Sequence, residues 1–387
     1  MSADANAYSG KTVLITGGGT GVGADMARAF ASRGAAVWIT GRRAEVLENV
    51  AVAHPSITPH VCDVTEEADI IALFDKIECA DIVIANAGAA ASAPFDKTSL
   101  DLWRSIMDVN LTGVLLPFRL LYVVSDLLYV LMYNVLGYRK KTIQENLKLV
   151  FPEKTEVELM VITKKFYHHL CDMIVESIKS MNISIDSMKA RYKFNNLDII
   201  TDFERQNTSI ILMCAHYGSW EWIFILQTYT SHRSYAIYKR LQNKYFDRLI
   251  KSIRARYNSY LITTKETFSV MEDAKKKGIL SMSGFASDQS PKKDKARYWA
   301  DFMGINVPVH TGAEALSKKL DIPVVFFSVK RIKRGYYEAT FQILAEDPSS
   351  FKDYEITDRF LELVEAQIHE APEYYLWTHK RWKHRKV

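Results

Sequence analysis

The chain has 387 residues, 48% hydrophobic and 25% charged, with a formal net charge of +5. That length is comfortable for two domains and the composition supports a sizeable core. Cys62, Cys79, Cys171 and Cys214 have neither metal nor redox spacing. This excludes a disulfide framework and points to a reducing compartment. Met1 to Lys11 has no apolar core region, so no signal peptide is expected.

The charge is unevenly placed. Residues 1–113 carry 8 basic and 14 acidic side chains, and the remainder carries 42 basic and 31 acidic. Of the 20 tyrosines, only Tyr8 lies in the first part, which is rich in alanine. Two stretches this different read as two unrelated modules joined in one chain.

The first module opens on an apolar run, Lys11 to Thr16, followed by Gly17-Gly18-Gly19-Thr20-Gly21-Val22-Gly23 and an alanine-rich helix to about Arg33. Strand, glycine loop and helix together let a backbone approach a pyrophosphate, with free N–H groups facing it. A second strand, Ala36 to Thr40, ends in Gly41-Arg42-Arg43, where arginine suits a ribose 2′-phosphate. A third ends in Cys62-Asp63-Val64 and a fourth, Asp81 to Ala85, in Asn86-Ala87-Gly88. Thr16, Gly17, Gly21, Gly23, Asp63, Asn86 and Asn110 together resemble the short-chain dehydrogenase/reductase family. The resemblance implies an NADP site that includes Arg42. The family's serine and Tyr-x3-Lys do not follow Asn110. Tyr235 to Lys239 has that spacing but comes far too late. The expectation is half a Rossmann domain without the hydride-transfer chemistry.

After Gly113 comes a long apolar stretch interrupted by Arg119 and Asp126. These share a helix face with Tyr122, Tyr129 and Tyr133. Leu121, Val124, Leu128, Leu131, Met132 and Val135 line the opposite face. An amphipathic helix in a membrane interface, or one packed on a domain with its back in lipid, fits this pattern. Arg139-Lys140-Lys141 behind it suits anionic headgroups; an ordinary core helix is the alternative.

Helical patterns cover about 156–183, with His168 and His169 expected on the helix surface. Alternating elements follow: strand 209–214, helix from about Trp220, strand 234–238, helices 244–256 and 266–277, strand 279–285, helix 311–319, strands 323–329 and 336–344, helix 357–369. That order gives an α/β sheet with helices on both faces.

Within it, Cys214-Ala215-His216-Tyr217-Gly218-Ser219-Trp220-Glu221-Trp222 follows a buried strand. A turn between His216 and Glu221 would fold a carboxylate back onto an imidazole, as a general base and its orienting group require. The further blocks are 238–247, Asp288-Gln289-Ser290-Pro291, 299–304, 308–312 and Trp377-Thr378-His379-Lys380-Arg381-Trp382. With His216-x4-Glu221 they resemble the lipid A biosynthesis acyltransferases of the glycerolipid acyltransferase superfamily. The resemblance covers about 114–387 and places a module junction near Gly113.

It implies acyl transfer from an acyl carrier protein thioester to a hydroxyl of a lipid A precursor at the cytoplasmic face of a bacterial inner membrane. His216 would be the base and Glu221 its orienter. Arg240 would hold an oxyanion or acceptor phosphate, and Asp288, Gln289 and Asp301 would shape the pocket. Lys292, Lys293, Lys295 and Arg297 form a basic loop that suits an acidic carrier protein or a phosphorylated lipid. Acyl transfer needs no cofactor, and neither a metal nor a nucleic-acid partner is expected. Three other readings stay open: an NADP-dependent oxidoreductase, a non-catalytic NADP-binding module that regulates the acyltransferase, and an artificial fusion.

Overall fold

The computed structural model describes residues 6–77, 80–88, 118–181, 183–238, 247, 251, 253, 254 and 256–386. Asn110, Gly113, Arg240 and most of the expected helix 244–256 lie outside them. The chain divides into two compact units, Met1–Val123 and Val124–Val387.

In the first unit, strands β1 (Thr12–Thr16), β2 (Ala36–Gly41), β3 (Ile57–Val61) and β4 (Ile82–Ala85) form a parallel sheet ordered β3-β2-β1-β4. Helices Gly21–Ala31, Ala44–Ala51 and Glu67–Lys76 make the crossovers. Val13, Ile15, Val37 and Ile39 alternate onto one face and pack on Ala24, Ala27 and Ala31. The small alanine side chains let that helix approach the sheet closely. Leu14 faces the other way, with Ile70, Leu73 and Ile77. This is the expected partial Rossmann fold.

The second unit is built on a seven-stranded mixed sheet of β5 (Tyr192–Asn195), β6 (Ile210–Cys214), β7 (Arg233–Tyr238), β8 (Tyr260–Thr263), β9 (Ser281–Ala286), β12 (Val324–Lys333) and β13 (Tyr336–Ala345). The order is β5-β13-β12-β6-β9-β7-β8, parallel except where β12 meets β13. Central β6 is apolar throughout, as a strand covered on both faces must be. A separate hairpin, β10 (Tyr298–Phe302) and β11 (Ile305–Val309), was not anticipated from the sequence.

Helix Glu156–Lys179 starts at a reciprocal capping box between Thr155 and Glu158. Its buried face includes Leu159, Ile162, Phe166 and Tyr167. His169 belongs to that face and is 1% exposed, edge-on to Tyr374 at 4.8 Å between ring centres. Burial pulls its pKa down to about 3. The expected surface position therefore holds only for His168, which stacks on Tyr129.

Helix Phe118–Tyr129 and a π-helical turn, Val130–Val135, turn Ser125 and Tyr133 inward. Asp126 pairs with Arg334 at 2.6 Å and Tyr133 is buried. Arg334 and Arg331 also grip buried Asp172, at 2.6 and 2.9 Å, and Ser125 donates to the same carboxylate. This cluster ties the helix to the β12–β13 hairpin. The outward row is Leu127, Val130, Leu131, Val135 and Leu136, each between 44% and 70% exposed. Leu121 is buried and Met132 packs on the core, so the expected apolar face is corrected by part of a turn. The π-turn shifts the helical phase only for the residues after Tyr129, Met132 among them; upstream of it, the pairing of Ser125 and Asp126 with the Asp172–Arg334 cluster fixes which side faces in.

Candidate active site

β6 and β9 pair in parallel with Cys214 opposite Ala286. Two residues beyond those partners stand His216 and Asp288. The ladder continues past the strands through Ser287 N–H to the Cys214 carbonyl, 3.2 Å. Side chains 72 positions apart thus meet at the carboxyl ends of adjacent parallel strands, where open α/β sheets place their ligands. His216 Nδ1 lies 2.7 Å from Asp288 Oδ1. Asp288 is 1% exposed and the His216 side chain 22%, so the imidazole has one covered edge and one reachable edge. Trp220 stands edge-on to the ring at 5.3 Å. The Gln289 amide lies beside it, 3.4 Å from Nε2.

Burial opposes a charged imidazole here. The Asp288 charge and hydrogen bond, with Glu221 behind them, outweigh that cost and raise the His216 pKa above its ordinary value. Asp288 moves oppositely: burial pushes its carboxyl up, but His216 holds it below the usual range.

The carboxylate on Nδ1 is therefore Asp288, not the expected Glu221. Glu221 sits in a 3-10 helix, Trp220–Thr228, and its oxygens go to Arg254. Arg254 Nε donates at 2.9 Å and Nη2 closes a fork; Trp220 Nε1 donates at 3.1 Å. A planar guanidinium takes both carboxylate oxygens, which a histidine nitrogen cannot do. Asp301 is also elsewhere. It is exposed on the β10–β11 hairpin and accepts from Asn306 at 2.9 Å.

A C-terminal segment closes the site and was read from the sequence only as a tryptophan box. His216 O accepts from Leu376 N at 3.1 Å, and Tyr374 O accepts from Gly218 N at 3.0 Å. Gly218 has φ +58°, and a Cβ there would lie 2.9 Å from Val329 Cγ1, so the turn requires glycine. Arg381, fully buried, donates to Ser290 Oγ at 2.9 Å and to Pro308 O at 3.0 Å. Trp377, Trp382 and Phe302 stack behind it.

In the first unit, a cavity of about 400 Å³ is lined by Gly17, Gly23, Arg42, Asp63 and Asn86, with Arg43 beside them. Thr16 braces it: its hydroxyl accepts from Asn86 N at 3.1 Å and Ala87 N at 3.0 Å. Gly21, at φ +50°, begins the helix. A Cβ on Gly23 would meet Gly17 O at 2.3 Å and one on Gly17 would meet Ala87 Cα at 2.8 Å. The loop is thus a bare-backbone cradle with two arginines at its rim.

Glu221→Ala is expected to lower unfolding stability by about 3 kcal/mol, because Arg254 is left partly buried without its partner. Adding Arg254→Leu should recover part of that loss. Denaturant titration of both variants checks this; a double variant no more stable than the single one would contradict it.

Comparison with known proteins separates the two units. Residues 102–384 match the family of bacterial lipid A biosynthesis acyltransferases, and residues 11–124 match short chain dehydrogenase. An NADP-dependent (R)-specific alcohol dehydrogenase of Lentilactobacillus kefiri is 38% identical over 118 residues, 29% of this chain and 47% of that protein. Oxidoreductase asL5 of Sarocladium schorii is 38% identical over 112 residues, 28% of this chain and 45% of its own. A solved structure, the citronellol catabolism dehydrogenase AtuB of Pseudomonas aeruginosa PAO1, aligns with TM-score 0.28 at 31% identity, covering 30% of this chain and 50% of that one. The chain spans about half the length of these relatives. The acyltransferase match, by contrast, takes in well over half of the chain. By that match the chain belongs to the bacterial lipid A biosynthesis acyltransferase family, and it carries a short-chain-dehydrogenase-type domain at its amino end.

Proposed function

We propose that the chain moves a fatty acyl group from an acyl carrier protein thioester to a hydroxyl of a lipid A precursor or related glycolipid. The observation that carries this reading is the 2.7 Å contact between His216 Nδ1 and Asp288. With Nδ1–H held by the carboxylate, Nε2 presents the basic lone pair. Nε2 takes the hydroxyl proton as the oxygen attacks the thioester carbonyl, forming the new C–O bond. The tetrahedral oxyanion collapses, the C–S bond breaks, and the imidazolium gives its proton to the leaving thiolate. The Gln289 amide is the nearby neutral donor for the oxyanion. Glu221 acts at one remove: it fixes Arg254 and adds negative potential at His216. Arg240 remains a proposed site for acceptor phosphate.

The reaction is assigned to the cytoplasmic face of a bacterial inner membrane. Among the described residues no single helix is long and apolar enough to cross a bilayer; Leu121–Val135 and Lys140–Val150 pass by length and composition only as a pair bent by 85°. The row Leu127, Val130, Leu131, Val135 and Leu136 exposes more contiguous apolar side chain than scattered surface positions do. Its polar side is already committed to Arg334, which suits a helix seated in the interface. In the first unit, the cradle and Arg42 and Arg43 fit the pyrophosphate and 2′-phosphate of NADP. NADP when bound supplies a hydride donor or acceptor, but the tyrosine and lysine that would manage the proton do not follow Asn110. A binding role without hydride transfer is therefore the reading for this unit.

Since the base acts as the neutral imidazole, transfer should rise with pH through a His216 pKa held above its ordinary value. Asp288→Asn should move that limb to lower pH and lower kcat by about 10²–10⁴-fold, the usual worth of such a base. A limb that stays in place in Asp288→Asn would sink the pairing.

Leu127→Asp with Leu131→Asp should release the protein from vesicles, because each charge on a lipid-facing side costs about 2–3 kcal/mol near the hydrocarbon. Flotation on liposomes reads this; full retention would mean that another surface binds.

NADPH fluorescence titration of the full chain should saturate, and Arg42→Ala should weaken NADPH more than NADH. Equal loss for both dinucleotides would remove the 2′-phosphate role.

A further inference from the structure

Asp288 is 1% exposed, and burial pushes its carboxyl toward the protonated form. His216 opposes this with its charge and its hydrogen bond. That charge is present only while the imidazole is protonated, and a general base works from the neutral ring. In the working state a buried carboxylate therefore faces an uncharged partner, which does little to hold it ionised. A fixed positive charge elsewhere is needed to stabilise that state.

The other groups that act on Asp288 come from three places. Cys214 ends β6, His310 follows β11, and Tyr375, His379 and Arg381 belong to the C-terminal segment; each feels the Asp288 charge. Burial keeps the Cys214 thiol and the Tyr375 phenol protonated and neutral. It also pulls His379 down to about 4 and lowers His310, with the Arg381 charge adding to both effects. Lys383 acts on His379 in the same direction, and Glu221 is answered by Arg254 behind His216. Near neutral pH, Arg381 is the one member of this set that stays charged when His216 is neutral.

Arg381 is fully buried, and its Nη1 donates to two neutral acceptors, Ser290 Oγ at 2.9 Å and Pro308 O at 3.0 Å. Ser290 lies two residues after Asp288, so their Cα atoms are within about 7 Å. Arg381 Nε, Arg381 Nη2 and Asp288 Oδ2 are buried without a hydrogen-bond partner among the described residues. Burial opposes the Arg381 cation, and Tyr375 and Asp288 support it. A buried guanidinium bonded only to neutral acceptors is costly, and a buried carboxylate two residues from its anchor offsets that cost.

We propose that Arg381 is a positioning residue of the reaction centre: it anchors the Asp288 loop through Ser290 and supplies the fixed positive charge that keeps Asp288 ionised while His216 stands as the neutral base. The role of His216 rests on the acyl-transfer reading above, but the charge coupling is measurable without turnover. Two roles for Arg381 differ in sign. With its charge removed, the Asp288–His216 pair holds its shared proton more tightly, and the neutral base forms only at higher pH. Loss of a mere clamp acts the other way: a displaced Asp288 supports the imidazolium less, and the ring gives up its proton at lower pH, as in Asp288→Asn.

The test titrates the full chain, labelled at histidine, through the Cε1–H resonances, with His216 assigned by the signal lost in His216→Ala. Arg381→Gln should move the His216 midpoint up by about half a pH unit or more. The acidic limb of kcat should move up with it. Arg381→Lys keeps the charge and should return both most of the way to wild type. An unmoved or lowered midpoint in Arg381→Gln overturns the proposal, and so does an equal rise in Arg381→Lys. If Arg381→Gln does not fold, adding Asp288→Asn should restore a cooperative denaturant transition, because the carboxylate left without its countercharge is then gone; a double variant that also fails to fold overturns the coupling. If the midpoints move as stated while wild type transfers no acyl group, the coupling stands and the acyl-transfer reading falls.

Discussion

Everything in the second unit depends on the register between β6 and β9. Parallel pairing of Cys214 with Ala286 brings the two strands to an end at the same level. The residues that follow, His216 and Asp288, leave the sheet together and meet at 2.7 Å. A slip by one residue would turn every side chain of one strand to the other face and separate the pair. The uninterrupted apolar sequence of β6, buried along its length, would not by itself set the register. The Ser287–Cys214 backbone bond carries the same register one step past the strands.

The electrostatics of the site follow from its depth. A buried carboxylate is costly unless something answers its charge. His216 answers Asp288, so each group's ionised form supports the other's. Glu221 and Arg254 make a second pair close by, with both carboxylate oxygens in use. The two pairs share the local field rather than competing for one histidine. Buried Arg381 belongs to the same region and secures the Asp288 loop through Ser290. Its guanidinium also lies 4.9 Å over the Phe302 ring. Charge and aromatic packing are thus joined in one cluster, and the C-terminal segment carries most of it.

The first unit obeys the same rule at the end of different strands. Its cradle forms where β1 and β4 end, and Thr16 joins them through the Asn86 and Ala87 backbone. Glycine is obligatory at two points because a Cβ would strike backbone atoms. The two units share a principle, polar side chains gathered at the carboxyl ends of adjacent parallel strands, although their sheets are unrelated in order.

The local code was largely readable from the residues. Apolar runs with β-branched side chains gave β1, β2, β6, β12 and β13 to within a few residues, since period and burial are written into each segment. The glycine loop, the helix from about 156 and the split in composition were equally local. Long-range pairing was not legible. His216 and Glu221 are five apart, and short spacing suggested a contact that the 3-10 turn at Trp220 directs toward Arg254 instead. One signal pointed the other way: Asp288 follows the strand 281–286 at the same offset as His216 follows 210–214. That symmetry has meaning only once the two strands are known to be neighbours. The hairpin at 298–309, the burial of His169 and the return of residues 374–382 to the His216 turn were likewise decided by tertiary packing. Sequence determines what each segment can be, because periodicity and turn chemistry act over a few residues. Which segments touch depends on sheet order and register, and these emerge only when the whole core is assembled.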